Sequence, residues 1–259
     1  MPRPFGQHFL RGDRARELVD LIAPGPGDVF LEIGPGALAL TLRLAERCAS
    51  LVAIEIDGRL IEEMKGRLPG NVRVVHADAL EADYRSLVPP GARLAGNLPY
   101  NISSPLLRRF LEHRGHFKDA HLMLQEEVAE RIAAGPGSRD YGPLSVLYGL
   151  WADVRIVQRL GPQDFTPPPR VNSAVIRCVF RSEPRCVIAR PEAFEALVKA
   201  SFVQRRRTIE NNLRLRYPDL KHYFKLAGIS EVRRAESLTV EEFARLAEVL
   251  PDLSVETDH

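Results

Sequence analysis

Residues 29–39 read Val29-Phe30-Leu31-Glu32-Ile33-Gly34-Pro35-Gly36-Ala37-Leu38-Ala39, an apolar run that stops at two glycines separated by one proline. The run has the length of a buried strand. Gly34 and Gly36 mark a tight turn at its carboxyl end, where backbone can pass close to a ligand. The stretch formally satisfies G-x-G-x-x-G/A, with Ala39 in the last place, so a nicotinamide dinucleotide is one reading. Two features oppose it. Glu32 sets an acid where it repels a pyrophosphate and favours a cationic ligand group. Pro35 removes an amide that an anion would use.

Outward from this stretch the pattern repeats. ALALTLRLAERC (37–48) and RLIEEMKGRL (59–68) are amphipathic, and LVAIEID (51–57) and VRVVHAD (72–78) are apolar runs ending in acids. Such alternation predicts β-α-β-α-β, a parallel sheet covered by helices on both faces. Further strands are expected near Arg93–Gly96, Asp119–Leu124, Val154–Gln158 and Ala174–Phe180. The fold class is therefore α/β, an open, doubly wound, seven-stranded sheet. Three successive prolines make the segment 161–170, GPQDFTPPPR, a stiff loop without a helix.

Beyond Pro184 the spacing turns helical, over Pro191–Phe202, Arg207–Leu215, Leu220–Ala227 and Val240–Leu250, with no strand between. This predicts a small, all-helical C-terminal domain over 183–259, following a first domain over 1–182. Phe194, Leu197, Val198, Leu246 and Val249 are its expected core. The polar residues Asp252–His259 are expected to fray.

The 259 residues, 45% of them hydrophobic, leave room for one large domain and a small one. Three cysteines with no CxxC pattern argue against a disulfide framework and a zinc site, so no metal is expected. The first residues lack an apolar signal core, and no run approaches 18 apolar residues, which points to a cytoplasmic protein without a membrane partner. A net charge of +2 does not by itself demand a polyanionic partner. Its distribution is more telling: Lys199–Arg216 holds six basic residues against the single acid Glu210. Such a stretch suits a solvated face or a phosphate surface.

Glu55, at the end of the second strand, can accept hydrogen bonds from ribose hydroxyls. Asp78, at the end of the third, can accept from an adenine amino group. With Glu32, Gly34 and Gly36 they suit a nucleoside bearing a positive, phosphate-free tail, and S-adenosylmethionine is such a ligand. The fourth strand ends in Gly96-Asn97-Leu98-Pro99-Tyr100-Asn101, residues that also make an ordinary turn.

Taken jointly, these motifs resemble the ribosomal RNA adenine dimethylase family, in particular its bacterial small-subunit branch. The resemblance runs through Gly6-Gln7-His8-Phe9-Leu10, the EIGPG loop, Glu55-Ile56-Asp57, His76-Ala77-Asp78, Asn97-Leu98-Pro99-Tyr100, Phe165-Thr166-Pro167-Pro168-Pro169-Arg170-Val171-Asn172-Ser173 and Phe202-Val203-Gln204-Arg205-Arg206-Arg207-Thr208. It implies a class I, Rossmann-like methyltransferase domain that uses S-adenosylmethionine. By position, His8 and Leu10 would close over the cofactor, Gly34 and Gly36 would form the turn under its methionyl part, Glu55 would hold the ribose and Asp78 the adenine. Asn97 would be shared between cofactor and target. His8 departs from relatives that often have Asn there, and its ring could instead be a cap beside Asp13.

The Asn97 side-chain oxygen and the Leu98 carbonyl would accept the two N–H bonds of the target amine, with Pro99 holding that carbonyl inward. Tyr100 and Phe165 would sandwich a flipped-out adenine. The resemblance further implies dimethylation of N6 at two neighbouring adenines near the 3′ end of small-subunit rRNA. The partner would be an immature ribosomal subunit gripped through Lys199, Arg205, Arg206, Arg207 and Arg214, and the protein a monomer. Alternatives are the resistance branch acting on large-subunit rRNA, an N6-adenine DNA methyltransferase, and an RNA-binding assembly factor without catalysis.

Overall fold

A computed structural model of the protein describes residues 8–217 and 219–251. Its strands are β1 (Phe9–Leu10), β2 (Val29–Ile33), β3 (Ser50–Glu55), β4 (Val72–His76), β5 (Ala92–Asn97), β6 (Phe117–Gln125), β7 (Ala152–Leu160), β8 (Phe165–Thr166) and β9 (Ser173–Phe180). Seven of them form one sheet in the order β4-β3-β2-β5-β6-β9-β7, and β1 pairs with β8 in a separate two-stranded ribbon. From β4 to β6 every pairing is parallel, but β9 runs antiparallel to both β6 and β7. The parallel order expected for the first β-α-β-α-β stretch and the seven-stranded sheet are both observed, and the antiparallel edge adds to them. The link from β7 to β9 holds no crossover helix, and only antiparallel neighbours can be joined that way.

Side chains alternate across the sheet, so Phe30 and Glu32 share one face. That face is covered by α1 (Gly12–Ile22), whose Ala15, Leu18, Val19 and Ile22 recur at helical spacing and are all buried in one cluster with Phe30, Leu51, Ala53 and Ala95. α2 (Thr41–Ala45) adds Leu44 to the same cluster. Elsewhere α3 (Gly58–Met64), α4 (Tyr84–Leu87) and α5 (Ser103–Glu112) follow their strands, and the rings of Phe110 and Phe117 each pack on that of Tyr84 with centroids 5.9 Å apart. Arg93 is buried on β5, where it pairs with Asp119 and Asp28 at 2.8 Å each.

After β6 come α6 (Glu126–Ala133) and α7 (Pro143–Trp151), and the remaining helices are α8 (Pro191–Ser201), α9 (Ile209–Leu213), α10 (Leu220–Ala227) and α11 (Val240–Val249). By packing, the described residues divide into one unit within 1–130 and 152–181, and a second within 131–151 and 182–259. A single boundary at 182/183 therefore misses an excursion: 131–151, including α7, packs with the C-terminal helices. Within that unit Phe194, Leu197, Val198, Phe224, Phe243 and Leu246 are buried, and Phe202 meets Tyr141 and Phe243 at 6.1 and 5.9 Å. Val249, expected in this core, is half-buried.

Two further expectations change. The helix read over Arg207–Leu215 shrinks to α9, because Thr208 caps it by accepting from the Asn211 amide, and 205–207 form a turn. The proline-rich loop contains one 3-10 turn at Pro162–Asp164 and then the strand β8. The expectations on Gly6, Gln7 and the tail Asp252–His259 lie outside the described residues. Among those described, no helix is long and apolar enough to cross a membrane.

Candidate active site

The carboxyl ends of β2, β3, β4 and β5 open onto one cavity of about 260 Å³. It lies where the chain leaves β2 for β3 on one side while β5 flanks the other, the crevice at which open α/β sheets hold their ligands. Ile33 is level with Gly96, and this register brings the ends of β2 and β5 together. A side chain at Gly96 would lie 2.6 Å from the Ile33 carbonyl oxygen, so only glycine lets the two strands meet this closely.

The glycine turn forms the cavity wall. Gly34 and Gly36 have φ of +69° and +53°, the left-handed region that side chains disfavour. A Cβ on Gly36 would also come within 2.8 Å of the Phe9 ring. Helical structure begins only at Thr41, in an α2 of five residues. The turn is therefore not followed by the helix N-terminus that a pyrophosphate needs, and the nicotinamide reading loses its physical basis.

Three acids face the cavity. Glu55 is 5% exposed, and its Oε1 accepts from the amides of Ile56 and Asp57, both at 3.0 Å. Burial nevertheless raises its carboxyl above the usual range. Asp78 uses Oδ1 to accept from the Leu80 amide at 2.8 Å, which fixes its orientation at the rim. Glu32 is 1% exposed, and its Oε2 has no hydrogen-bond partner among the described residues. Burial, reinforced by the Glu55 charge, pushes the Glu32 carboxyl up to about 8. The nearby Thr41 hydroxyl opposes this shift, but it too makes no properly directed hydrogen bond.

At the end of β5 the Asn97 Nδ2 donates to the His8 carbonyl at 2.8 Å. That bond aims the other end of the amide, and Asn97 Oδ1 accepts nothing among the described residues. Leu98 donates its own N–H to Met123 at 3.1 Å, while its carbonyl accepts no described hydrogen bond. Both residues line the cavity. Two adjacent residues of the cavity wall thus each keep an acceptor without a described partner, the number that an exocyclic amine with two N–H bonds requires.

The segment His8–Leu10 covers this wall. β1 pairs with β8, the His8 ring nitrogen Nδ1 donates to the Pro167 carbonyl at 2.8 Å, and Leu10 is buried in the core beneath. This assigns His8 a bond to the proline loop, rather than a cap beside Asp13. Its ring lies nearly parallel to that of Tyr100, 6.0 Å away. The Tyr100 hydroxyl is tied to Ser173 at 2.6 Å.

Phe165 corrects an expectation. Its ring is 3% exposed within the hydrophobic cluster of α1 and β2, and it is not part of the cavity wall. The reason is the β1–β8 register: Leu10 pairs with Phe165, which carries the loop inward. The ring facing Tyr100 is that of His8. Ser173 and Gly96 stand in the quoted motifs, but sequence alone assigns neither a role of its own. A glycine closing a strand was the available signal for the second, and the first has none before the strands are placed.

The basic set divides as well. Lys199 pairs with Glu195 at 3.7 Å, and Arg205 donates to the carbonyls of Arg139 and Tyr141 at 2.5 and 2.8 Å. Arg206, Arg207 and Arg214 are exposed and form no ion pair among the described residues. Arg205 is therefore a structural tie within its unit, unlike its two neighbours.

A mostly parallel sheet in this strand order, holding a glycine turn, a carboxylate at the second strand end and N-L-P-Y around one cavity, defines a class I methyltransferase. The model of the ribosomal RNA adenine dimethylase family matches residues 2–252, and the chain belongs to that family. It is 44% identical over 254 residues to the ribosomal RNA small subunit methyltransferase A of Syntrophotalea carbinolica, covering 95% of each chain. Its identity to the protein of that name from Xylella fastidiosa is 43%, over 95% of this chain and 94% of the other. Among solved structures, the 23S rRNA methyltransferase ErmE superposes with a TM-score of 0.70 at 28% identity, over 93% of this chain and 99% of that one.

Proposed function

We propose that the protein transfers methyl groups to N6 of two adjacent adenines near the 3′ end of small-subunit rRNA, yielding N6,N6-dimethyladenine while the subunit matures. The methyl donor is S-adenosylmethionine, which supplies an electrophilic methyl on a sulfonium. The observation that carries the reading is the pair of unengaged acceptors, Asn97 Oδ1 and the Leu98 carbonyl, on the wall of a nucleoside-sized cavity.

Those acceptors hold the target amine and turn its delocalised lone pair toward the methyl. Pro99 restricts the backbone between them and Tyr100, and the Tyr100 ring, pinned through Ser173, offers a face for the base. Glu55 and Asp78 hold the nucleoside of the donor, and the Gly34–Gly36 turn passes beneath its amino-acid end. The buried, uncompensated Glu32 suits a donor that carries cations and no phosphate.

The small-subunit substrate is favoured over the large-subunit one by identities of 43–44% to the former group against 28% to ErmE. Arg206, Arg207 and Arg214 supply phosphate contacts, and the protein works as a cytoplasmic monomer. Incubating it with labelled S-adenosylmethionine and immature small subunits, then mapping modified nucleotides, tests this reading. Two dimethylated adenines near the 3′ end are expected. Label confined to large-subunit rRNA would reassign the substrate.

A further inference from the structure

The cavity contains a carboxyl group for which the described residues provide no counter-ion. Glu32 lies on β2 between Ala53 of β3 and Ala95 of β5, neither of which can bond it. Among the described residues, the titratable groups facing it are Glu55 from β3, Cys48 beyond α2, and Asp78 and His8 on the cavity wall, and no Lys or Arg lines that wall. Thr41 of α2 stands beside it with a hydroxyl that also lacks a directed partner. A carboxylate so placed, with another acid close by, is stable only as the neutral acid or opposite a cation that enters from outside.

We infer that Glu32 carries a proton in the ligand-free cavity and releases it when the α-ammonium group of the cofactor enters, so that cofactor binding is linked to proton release. This rests on assigning the cavity to S-adenosylmethionine. The balance is simple: the carboxylic acid O–H breaks, the proton passes to the buffer, and the carboxylate accepts a hydrogen bond from the incoming ammonium. The sulfonium adds a second positive charge to the same cavity. Glu55 is the other acid whose ionisation burial disfavours, but its Oε1 already accepts two backbone amides, which hold it closer to its ionised form. Glu32 has no such amides and is the proton source.

Two consequences separate this from a merely structural acid. With the Glu32 carboxyl pushed up to about 8, cofactor affinity should rise with pH, by up to about tenfold per unit, until the ligand's own α-ammonium begins to lose its proton, and gain no more beyond that point. A ligand without the amino-acid end should show no such dependence. Glu32 then acts as a specificity residue, selecting ligands that bring an ammonium.

Calorimetric titration of the full-length protein at pH 7, in two buffers of different ionisation enthalpy, counts the protons. About one proton released per S-adenosylmethionine or S-adenosylhomocysteine is expected, and none for 5′-methylthioadenosine. Glu32→Gln should abolish the release and flatten the pH dependence. Should that variant fail to fold, the wild-type comparison of the two ligand types between pH 6 and 8 decides alone. Equal heats in both buffers, or equal release with methylthioadenosine, would overturn the linkage. Loss of binding in Glu55→Ala alongside absent proton release would keep the site and reject the linkage. Unchanged cofactor affinity in both Glu32→Gln and Glu55→Ala would reject the site assignment itself.

Discussion

The proposed role of Asn97 rests on an orientation that one hydrogen bond imposes. An amide side chain has a donor end and an acceptor end, and the His8 carbonyl 2.8 Å from Nδ2 takes the donor. The acceptor is left for the cavity. Asn97→Ala deletes that acceptor and loosens His8, so single-turnover methyl transfer should fall at least about 100-fold, the scale on which a preorganised hydrogen-bonding group acts. Binding of rRNA should change less than about twofold, and full dimethylation at the wild-type rate would refute the role. His121 on β6 illustrates the opposite case, a polar side chain with no task in the cavity. It is 2% exposed with neither ring nitrogen bonded, and burial pushes it down to about 4, with Arg93 and Arg177 adding to the shift and Asp119 opposing it. The unfolded ring takes up its proton near pH 6.5, while the folded one refuses it until about pH 4. Stability therefore falls as pH drops through that window, by on the order of 3 kcal/mol from this group. Urea unfolding of His121→Leu from pH 7 to pH 4 should show a shallower loss than wild type, and an identical slope would contradict the assignment.

At the scale of elements, the site depends on how closely β2 and β5 approach. Gly96→Ala would push a methyl to 2.6 Å from the Ile33 carbonyl oxygen, where backbone, not a flexible side chain, must yield. A cost of about 1–3 kcal/mol is expected, together with weaker cofactor binding as Asn97 and Leu98 shift with their strand. Thermal unfolding and a binding titration measure both, and unchanged values would mean that the strands adjust freely. The strand ends were legible in sequence because their markers are local: glycines that take positive φ at 34 and 36, and acids closing apolar runs at 55 and 78. The partners that position them were not. β1 and β8 have two residues each, too few for any period to show, and their pairing joins Phe9 to Thr166 across the chain. The misplacement of Phe165 follows from that hidden pairing, since its ring direction is set by Leu10 opposite. α7 escaped for another reason: Pro143–Trp151 is apolar nearly all round, so it lacks the polar face by which a helix announces itself.

Over the whole molecule, the cavity and the exposed arginines of the basic stretch lie in different units. Every residue of the cavity belongs to the sheet unit, whereas the exposed arginines 206, 207 and 214 belong to the helical one. A net charge of +2 cannot draw a large polyanion by itself, so affinity for rRNA must come from local groups whose charge is not already neutralised. Lys199 does not qualify, since it faces Glu195, and Arg205 keeps its charge but already spends its N–H donors on two backbone carbonyls, which holds it away from a phosphate. This separates two kinds of variant that sequence alone would treat alike. Arg205→Ala should lower the melting temperature, because the carbonyls of Arg139 and Tyr141 lose their donor, and should leave the salt dependence of rRNA binding nearly unchanged. Joint replacement of Arg206, Arg207 and Arg214 by Glu should leave the melting temperature within about a degree or two while weakening binding at low salt. Each lost phosphate contact removes about 0.7–0.9 from the slope of log affinity against log salt, so the triple variant should flatten it by about 2–3. Fluorescence anisotropy with an rRNA fragment at several salt concentrations reads that slope, and a triple variant with the wild-type slope would place the phosphate surface elsewhere on the chain.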